Sequence, residues 1–177
     1  ISDGAGGTAS ATVSGTVNAV NDPPVAVADS FGTINEDTSA TVTVKSNDSD
    51  VDGNPLTITQ VNGTAIVAGG ASVTVTNGTV ALSADGNTLT FTPNANYNGP
   101  ASYTYTISDG QGGTATATVS GTVAAVNDAP DAIDDSFTTN EDTSVSISVK
   151  SNDTDIEGNP LTVTHVNGTA ITAGGAA

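Results

Sequence analysis

The sequence contains two near copies of the same pattern. The segment ISDGAGGTASATVSGTVNAVND begins at Ile1, and its near copy ISDGQGGTATATVSGTVAAVND begins at Ile107, 106 residues later. A second pair, SNDSDVDGNPLT from Ser46 and SNDTDIEGNPLT from Ser151, is separated by 105 residues. Such a period is typical of a tandem array, in which each unit folds by itself and contacts mainly its neighbours.

The repeat boundaries divide the chain into one whole unit and parts of two others. We predict that residues 1–20 are the C-terminal hairpin of a preceding repeat, that residues 21–126 form one complete repeat, and that residues 127–177 are the N-terminal half of the following one. The two partial segments together lack counterparts of residues 72–106, so a sandwich assembled from them would have exposed strand edges. We therefore expect the chain to be part of a longer array of repeats.

Short runs of alternating Val, Ile, Leu and Thr recur every eight to twelve residues within the repeat, with turn residues between them. Asn77-Gly78 and Asp85-Gly86 each separate two such runs, which is a hairpin signal because these residues accept a positive φ. The pattern predicts an all-β immunoglobulin-like Greek-key sandwich, with a jelly roll as the alternative. The candidate strands are VAVADSF (25–31), ATVTVK (40–45), LTITQV (56–61), SVTVT (72–76), TVALS (79–83), TLTFT (88–92), SYTYTI (102–107) and TATATVSGTV (114–123).

The charge balance favours cations as ligands. Nineteen Asp and Glu residues face two Lys or Arg, which gives a formal net charge of −17. The sequence offers no basic patch for phosphates, so nucleic acid is not an expected partner. There is no cysteine for a disulfide, so a bound metal is the remaining means of strengthening a core of small aliphatic side chains. No apolar run approaches the length of a membrane span, and we expect no membrane insertion.

Three aspartates at alternate positions, Asp48, Asp50 and Asp52, precede Gly53 in SNDSDVDGNP. The spacing D-x-D-x-D-G is the first half of an EF-hand loop, but the position of the bidentate Glu is occupied by Thr59. This is therefore not an EF-hand, and a hard cation bound here would take its other oxygens from elsewhere in the fold. The alternative is an Asp-rich turn that is satisfied by its own backbone.

Strand order in an immunoglobulin-like unit predicts where the other ligands come from. The NED turn (35–37) lies at the end where the chain leaves the repeat, whereas the DxDxDG turn and Asp109 lie at the end where it enters. Each junction would then combine acids from one repeat, the linker VNDAP (126–130) and the next repeat. The candidate Ca²⁺ ligands are Asp22, Glu36, Asp37, Asp48, Asp50, Asp52, Asp109, Asn127, Asp128, Glu141, Asp142, Asp153, Asp155 and Glu157. Asp109 is equally well explained as a turn residue, and we expect Asp29, Asp134 and Asp135 to be solvated.

The sequence resembles the cadherin-like tandem repeats of large calcium-dependent bacterial surface adhesins, a type often tipped with RTX sequences. The resemblance covers the whole chain and depends on NDAPDAIDDSFTTNEDTS (127–144), SNDTDIEGNPLT (151–162), the run TPNANYNGPASYTYTISDGQGGTA (92–115) and the period. Such repeats also occur in ice-binding and biofilm adhesins. The resemblance implies a secreted, calcium-rigidified extender that holds a terminal ligand-binding domain away from the bacterial surface.

The leading hypothesis is therefore structural, with calcium as the cofactor and the neighbouring repeats as the partners. The alternative makes each repeat a binding module for carbohydrate or ice through Thr-rich strand faces such as TATAT (114–118). We do not expect an enzyme or a small-molecule substrate, since there is no cysteine nucleophile and the single histidine, His165, lies outside the complete repeat.

Overall fold

The computed structural model describes residues 1–172, so positions 173–177 of the predicted third segment lie outside the described residues. Eleven strands are present in this part of the chain, and a 3-10 turn spans Val44–Ser46. The strands are β1 (Asp29–Asn35), β2 (Ala40–Val42), β3 (Thr57–Val61), β4 (Thr64–Ala65), β5 (Val73–Val75), β6 (Gly78–Leu82), β7 (Leu89–Pro93), β8 (Gly99–Ser108), β9 (Thr114–Ala124), β10 (His165–Val166) and β11 (Thr169–Ala170).

Nine of these strands form two sheets. One sheet has the order β1-β9-β8-β3-β4 and the other has the order β2-β7-β6-β5. Strand β1 runs parallel to β9, and the other pairs are antiparallel. The adjacent strands β9, β8 and β3 match the G, F and C strands of an immunoglobulin sandwich, with β4 added as a short C′ strand. The predicted all-β sandwich is confirmed.

Among the strands whose bounds differ from the prediction, two differ for identifiable reasons. The first was predicted from Val25, but Val25 instead pairs with Ser49 in an isolated bridge, and β1 begins at Asp29. The run 40–45 stops as a strand at Val42, because the next residues form the 3-10 turn. The strand β4 was not predicted, since two residues are too few for a visible alternation.

The core lies between the two sheets and is built from small aliphatic residues around the aromatic rings of Phe31, Phe91, Tyr103 and Tyr105. Phe91 is fully buried, and its ring lies 5.3 Å from Phe31 and 6.0 Å from Tyr103, centroid to centroid. Phe31 stands at a register shift between β1 and β9, where a β-bulge inserts one residue. The single residue by which the two copies differ in length falls in the same segment, FGTINEDTS against FTTNEDTS.

The flanking segments carry less regular structure. In residues 1–20 a bridge joins Ser2 to Thr8, and in the last described segment an antiparallel hairpin joins β10 to β11. Val149 is 36% exposed, whereas its counterpart Val44 in the complete repeat is buried at 0%, because Val44 is covered by an opposite sheet. No helix of residues 1–172 is long and apolar enough to cross a membrane.

Candidate metal centre at the repeat junction

A carboxylate contacts the linker at the end of the sandwich where the chain leaves the complete repeat. Glu36 directly follows β1, and its N–H donates to the carbonyl of Ala124 at the end of β9. The side chain is only 4% exposed, and its Oε1 accepts a hydrogen bond from the N–H of Val126 at 2.5 Å. Glu36 therefore connects the end of the sandwich to the first residues of the linker.

Three carboxylates from three different segments meet at this point. Glu36, Asp128 of the linker and Glu157 of the following segment each place one oxygen within 4.8 Å of the others. The backbone N–H of Asp128 also donates to Glu157 Oε2 at 3.3 Å. We call this group the junction triad. The sequence predicted that acids from one repeat, the linker and the next repeat meet at each junction, and the structure brings these three of the predicted residues together.

The junction triad fits a hard divalent cation. Oxygens bound at about 2.3–2.6 Å from one Ca²⁺ ion lie no more than about 5 Å apart, which is the spread of this group. Asp128 Oδ2 is inaccessible to solvent and accepts no hydrogen bond. Three close carboxylates repel one another unless a positive charge lies between them. The residues present therefore offer the ligand type, the spacing and the unsatisfied oxygen that calcium would use.

The entrance of the complete repeat has the same local geometry as the start of the following segment. The N–H of Asp22 donates to Asp52 Oδ2 at 2.8 Å, as that of Asp128 does to Glu157. Asn54 Nδ2 donates to Asn21 Oδ1 at 2.9 Å, and the corresponding pair Asn159 and Asn127 is at 3.3 Å. Both linkers therefore dock in the same way on the turn that follows them. Asn54 and Asn159 were not predicted as site residues, although GNP recurs in both copies.

The remaining candidates of the DxDxDG turns hydrogen bond inside their own segments. Asp50 Oδ1 accepts from the N–H groups of Asp52 and Asn54, while its Oδ2 is buried without a partner. Asp155 Oδ1 accepts from Asn159, and Asp153 Oδ1 accepts from Ile133. Neither Asp153 nor Asp155 joins the junction triad, although both were expected at this junction.

The acids of the two NED turns occupy different settings. Asp37 has a φ of 57°, and its Oδ1 accepts from the N–H of Asn96 within the same repeat. Asp142, its counterpart, has a φ of 59°. Glu141, the counterpart of Glu36, is exposed and belongs to no comparable acidic group within residues 1–172. The exposed Glu141 therefore provides a natural comparison for Glu36.

Asp109 is an anchor for the entering linker. It is 2% exposed and accepts hydrogen bonds from Asn21 Nδ2 at 2.7 Å, from Gln111 N at 2.8 Å and from Gly113 N at 2.9 Å. The bond from Asn21, and then the backbone donors, hold the pKa of Asp109 below its ordinary value. A Cβ on Gly113 would lie 2.2 Å from Asp109 Oδ2, so this hairpin needs glycine there. These contacts favour the turn interpretation that the sequence left open.

Replacing Asn21 by alanine is expected to raise the pKa of Asp109, because the strongest donor to its carboxylate is lost. A depressed carboxyl pKa contributes stability that is present above the unfolded pKa and is lost as the pH falls through the folded one. The variant should therefore lose this contribution at a higher pH than the unchanged protein. An NMR titration of the Asp109 carboxyl carbon measures the shift.

The matched control is Asn127→Ala, because the side chain of Asn127 donates to the Asp128 carbonyl and not to Asp109. If Asp109 titrates at the same pH in both variants, the linker bond does not set its pKa.

Asp29 and Asp48 form a separate acidic pair inside the complete repeat. Tyr105 Oη is 3.0 and 3.1 Å from the two oxygens of Asp48, and the N–H of Val27 donates to Asp48 Oδ1 at 2.8 Å. Burial, and then the charge of Asp48, raise the pKa of Asp29, whose Oδ2 is inaccessible and has no hydrogen-bond partner. The expectation that Asp29 is simply solvated is therefore wrong. The sequence shows no signal for this, because burial of Asp29 depends on the register of β1.

The fold and the repeated linker geometry define a chain of immunoglobulin-like tandem repeats. The family model described as "Bacterial Ig domain" matches residues 21–122 and again residues 127–177, and the chain belongs to this family. The immunoglobulin-like class predicted from the sequence is thereby confirmed. Domains of this family are typically found on extracellular surfaces.

No curated protein matches the chain. Among solved structures, it is similar to the endo-fucoidan hydrolase MfFcnA4 from glycoside hydrolase family 107, at 21% identity and a TM-score of 0.39, over 63% of this chain and 15% of that one. It is similar to a nucleoside hydrolase-related hypothetical protein from Saccharophagus degradans that is associated with carbohydrate metabolism, at 16% identity and a TM-score of 0.39, over 60% and 26% of the chains.

A third similar structure is the N-terminal Ig1-2 module of the Drosophila receptor protein tyrosine phosphatase DLAR, at 15% identity and a TM-score of 0.31, over 63% and 54% of the chains. The chain therefore spans between 15% and 54% of these proteins, and similarity this low says nothing about its function.

Proposed function

We propose that the chain is an extender segment of a secreted bacterial surface adhesin, in which calcium at each junction stiffens the array and spaces a terminal binding domain from the cell. The observation that carries this proposal is the junction triad, because Glu36, Asp128 and Glu157 belong to the repeat, the linker and the following segment respectively. An ion held by all three would fix two repeats in one relative orientation.

The charge of the chain makes this arrangement dependent on the ion. A net charge of −17 on 177 residues is unfavourable for compact packing, and acids drawn to one point add to that cost. Without a cation, repulsion within the junction triad favours a loose linker. With the cation bound, the same acids become ligands that hold the linker in place.

The calcium concentration around the protein would control its folding by mass action. Extracellular calcium modules bind the ion at about 10⁻⁴ to 10⁻³ M, so their sites fill outside the cell and stay largely empty in a low-calcium cytosol. An ion that binds only the folded form stabilises that form in proportion to the logarithm of its concentration. Export would thereby complete the stiffening of the array.

Replacing Glu36 by glutamine tests this proposal, because the change keeps the shape of the side chain and removes its charge. We expect the variant to bind one calcium ion fewer than the unchanged chain at about 1 mM free calcium, as measured by isothermal titration calorimetry. Glu141→Gln is the matched control, since Glu141 stands in the same NED motif, is exposed and belongs to no acidic group of the described residues. Equal ion counts for both variants would refute the junction site.

A binding role for the repeat itself has one specific observation in its favour. Thr104 and Thr106 on β8 lie opposite Thr118 and Thr116 on β9, and the hydroxyls of Thr106 and Thr116 are 2.9 Å apart. Regularly spaced hydroxyls on one sheet face could contact a sugar or an ice surface. A glycan array and an ice recrystallisation assay on the chain test this, and blank results in both would leave the extender function alone.

A further inference from the structure

The hydroxyl of Tyr105 lies among more oxygens than it can satisfy. Its Oη is 3.0 Å from the carbonyl oxygen of Val27, 3.3 Å from that of Val44, and 3.0 and 3.1 Å from the two oxygens of Asp48. A phenol has a single proton to donate. The Tyr105 proton serves one of these four oxygens and the N–H of Val27 serves Asp48 Oδ1, so the cluster holds more acceptors than donors, and one of its groups carries a full negative charge.

Asp29 brings a second carboxylate next to this cluster, since burial, and then the charge of Asp48, raise its pKa. Asp29 is paired with Val119, and Val119 is paired with Tyr103, so the three side chains occupy one row on the core-facing side of the sheet. Asp29 Oδ2 is inaccessible and unpartnered, and the same is true of Tyr103 Oη. Tyr103 is 2% exposed, and burial, and then the charge of Asp29, raise the pKa of its hydroxyl. Two solvent-inaccessible side-chain oxygens in this row thus lack partners.

The surroundings offer no positive side chain to balance the two aspartates. Lys45 is the only basic residue of the complete repeat, and its Nζ donates to the carbonyl of Leu56 at 3.2 Å. One contact of the cluster recurs in the second copy, where Asp153 Oδ1 accepts from Ile133 at 2.9 Å, as Asp48 Oδ1 does from Val27. There the oxygen Oδ1 of Asn152, the counterpart of Asn47, is buried and unpartnered.

We propose that Asp29 and Asp48 hold a divalent, oxygen-preferring cation such as Ca²⁺ inside the repeat, at a site separate from the junction triad. Two carboxylates match its charge, and the Val27 and Val44 carbonyls and the Tyr105 hydroxyl offer further hard oxygens within the same cluster. The ion would join the segment entering β1 to the turn after β2, so each repeat would be braced internally as well as at its ends. This site would bind the same ion as the proposed junction site, Ca²⁺, but it does not depend on the junction triad.

Terbium luminescence tests the site through its neighbouring tyrosines, because Tb³⁺ replaces Ca²⁺ at oxygen sites and emits when an adjacent tyrosine is excited. We expect the unchanged chain to give tyrosine-sensitised emission that excess Ca²⁺ removes. Asp29→Asn and Tyr105→Phe should each lose most of this emission. Tyr97→Phe should keep it, because Tyr97 donates to Pro100 and is not part of the cluster.

Calorimetry and melting curves with Ca²⁺ alone complete the test. Asp29→Asn should bind one ion fewer, melt at a lower temperature in calcium, and melt at the same or a higher temperature in chelator, because one of two like charges is gone. The charge-matched control Asp134→Asn should change none of these, since Asp134 is exposed and its counterpart in the complete repeat is Ala28.

Two outcomes would overturn the proposal. An unchanged ion count and unchanged emission in Asp29→Asn would mean that no cation binds there. An equal rise in melting temperature in calcium and in chelator would mean that the two aspartates share a proton instead. The variant Glu36→Gln separates the two sites. If Glu36→Gln keeps the ion count while Asp29→Asn lowers it, the junction proposal fails and the internal site stands. If Asp29→Asn keeps the ion count while Glu36→Gln lowers it, the internal site fails and the junction proposal stands.

Discussion

Removing calcium is expected to lower the free energy of unfolding of the complete repeat by about 2.7 kcal/mol for each occupied site, if free calcium was a hundredfold above the dissociation constant. For a unit of this size that corresponds to a fall of roughly 10–20 °C in the melting temperature. The loss would follow from carboxylates such as Glu36 and Asp128, which the ion holds together and which repel one another once it leaves.

Melting curves in millimolar calcium and in chelator measure this shift. Sodium chloride at matched ionic strength is the essential control, because salt alone screens the net charge of −17. Magnesium is a second control, since it demands a smaller octahedral shell and keeps its waters. A melting temperature that is equal in calcium and in matched sodium chloride would show that the acids are merely solvated.

Replacing Gly121 by alanine is expected to destabilise the complete repeat by about 1–3 kcal/mol. A Cβ at this position would lie 2.3 Å from the Phe31 ring and 2.6 Å from the carbonyl oxygen of Gly32. The ring can move only by giving up its contact with Phe91, and the carbonyl belongs to the bulge that joins β1 to β9. Denaturant unfolding in calcium measures the change.

The matched control for this variant is Gly15→Ala. Gly15 occupies the same place in the motif VSGTV of the first copy, and a Cβ there would meet no atom within 4 Å. Unfolding midpoints that fall equally in the two variants would mean that β1 does not pack on β9 as described.

The fold class could be predicted from the sequence because alternating Thr and aliphatic residues are typical of strands with one buried face. In β8, for example, Tyr103, Tyr105 and Ile107 are buried while the residues between them are more exposed. The start of β1 could not be predicted, because Val25 and Val27 continue the alternation but bond to the turn around Asp48 instead.

The candidate site could be predicted in part for the same reason. The repeat period and strand order predicted that Glu36, Asp128 and Glu157 meet at one junction, because each lies where a segment enters or leaves a sandwich. They predicted the same for Asp153 and Asp155, which hydrogen bond inside their own segment instead. The bond between Asn21 and Asp109 joins residues 88 apart in sequence, and no local pattern indicates it. Burial of Asp29 likewise depends on a pairing with β9 that only the folded chain reveals.

The most direct test of the central claim is a crystal structure of the chain grown in millimolar calcium, with anomalous scattering data to locate the ions. The account predicts an anomalous peak within the junction triad, with oxygens of Glu36, Asp128 and Glu157 at about 2.3–2.6 Å from it. A map that places calcium elsewhere on the chain, and only water or side-chain contacts among these three carboxylates, would contradict it.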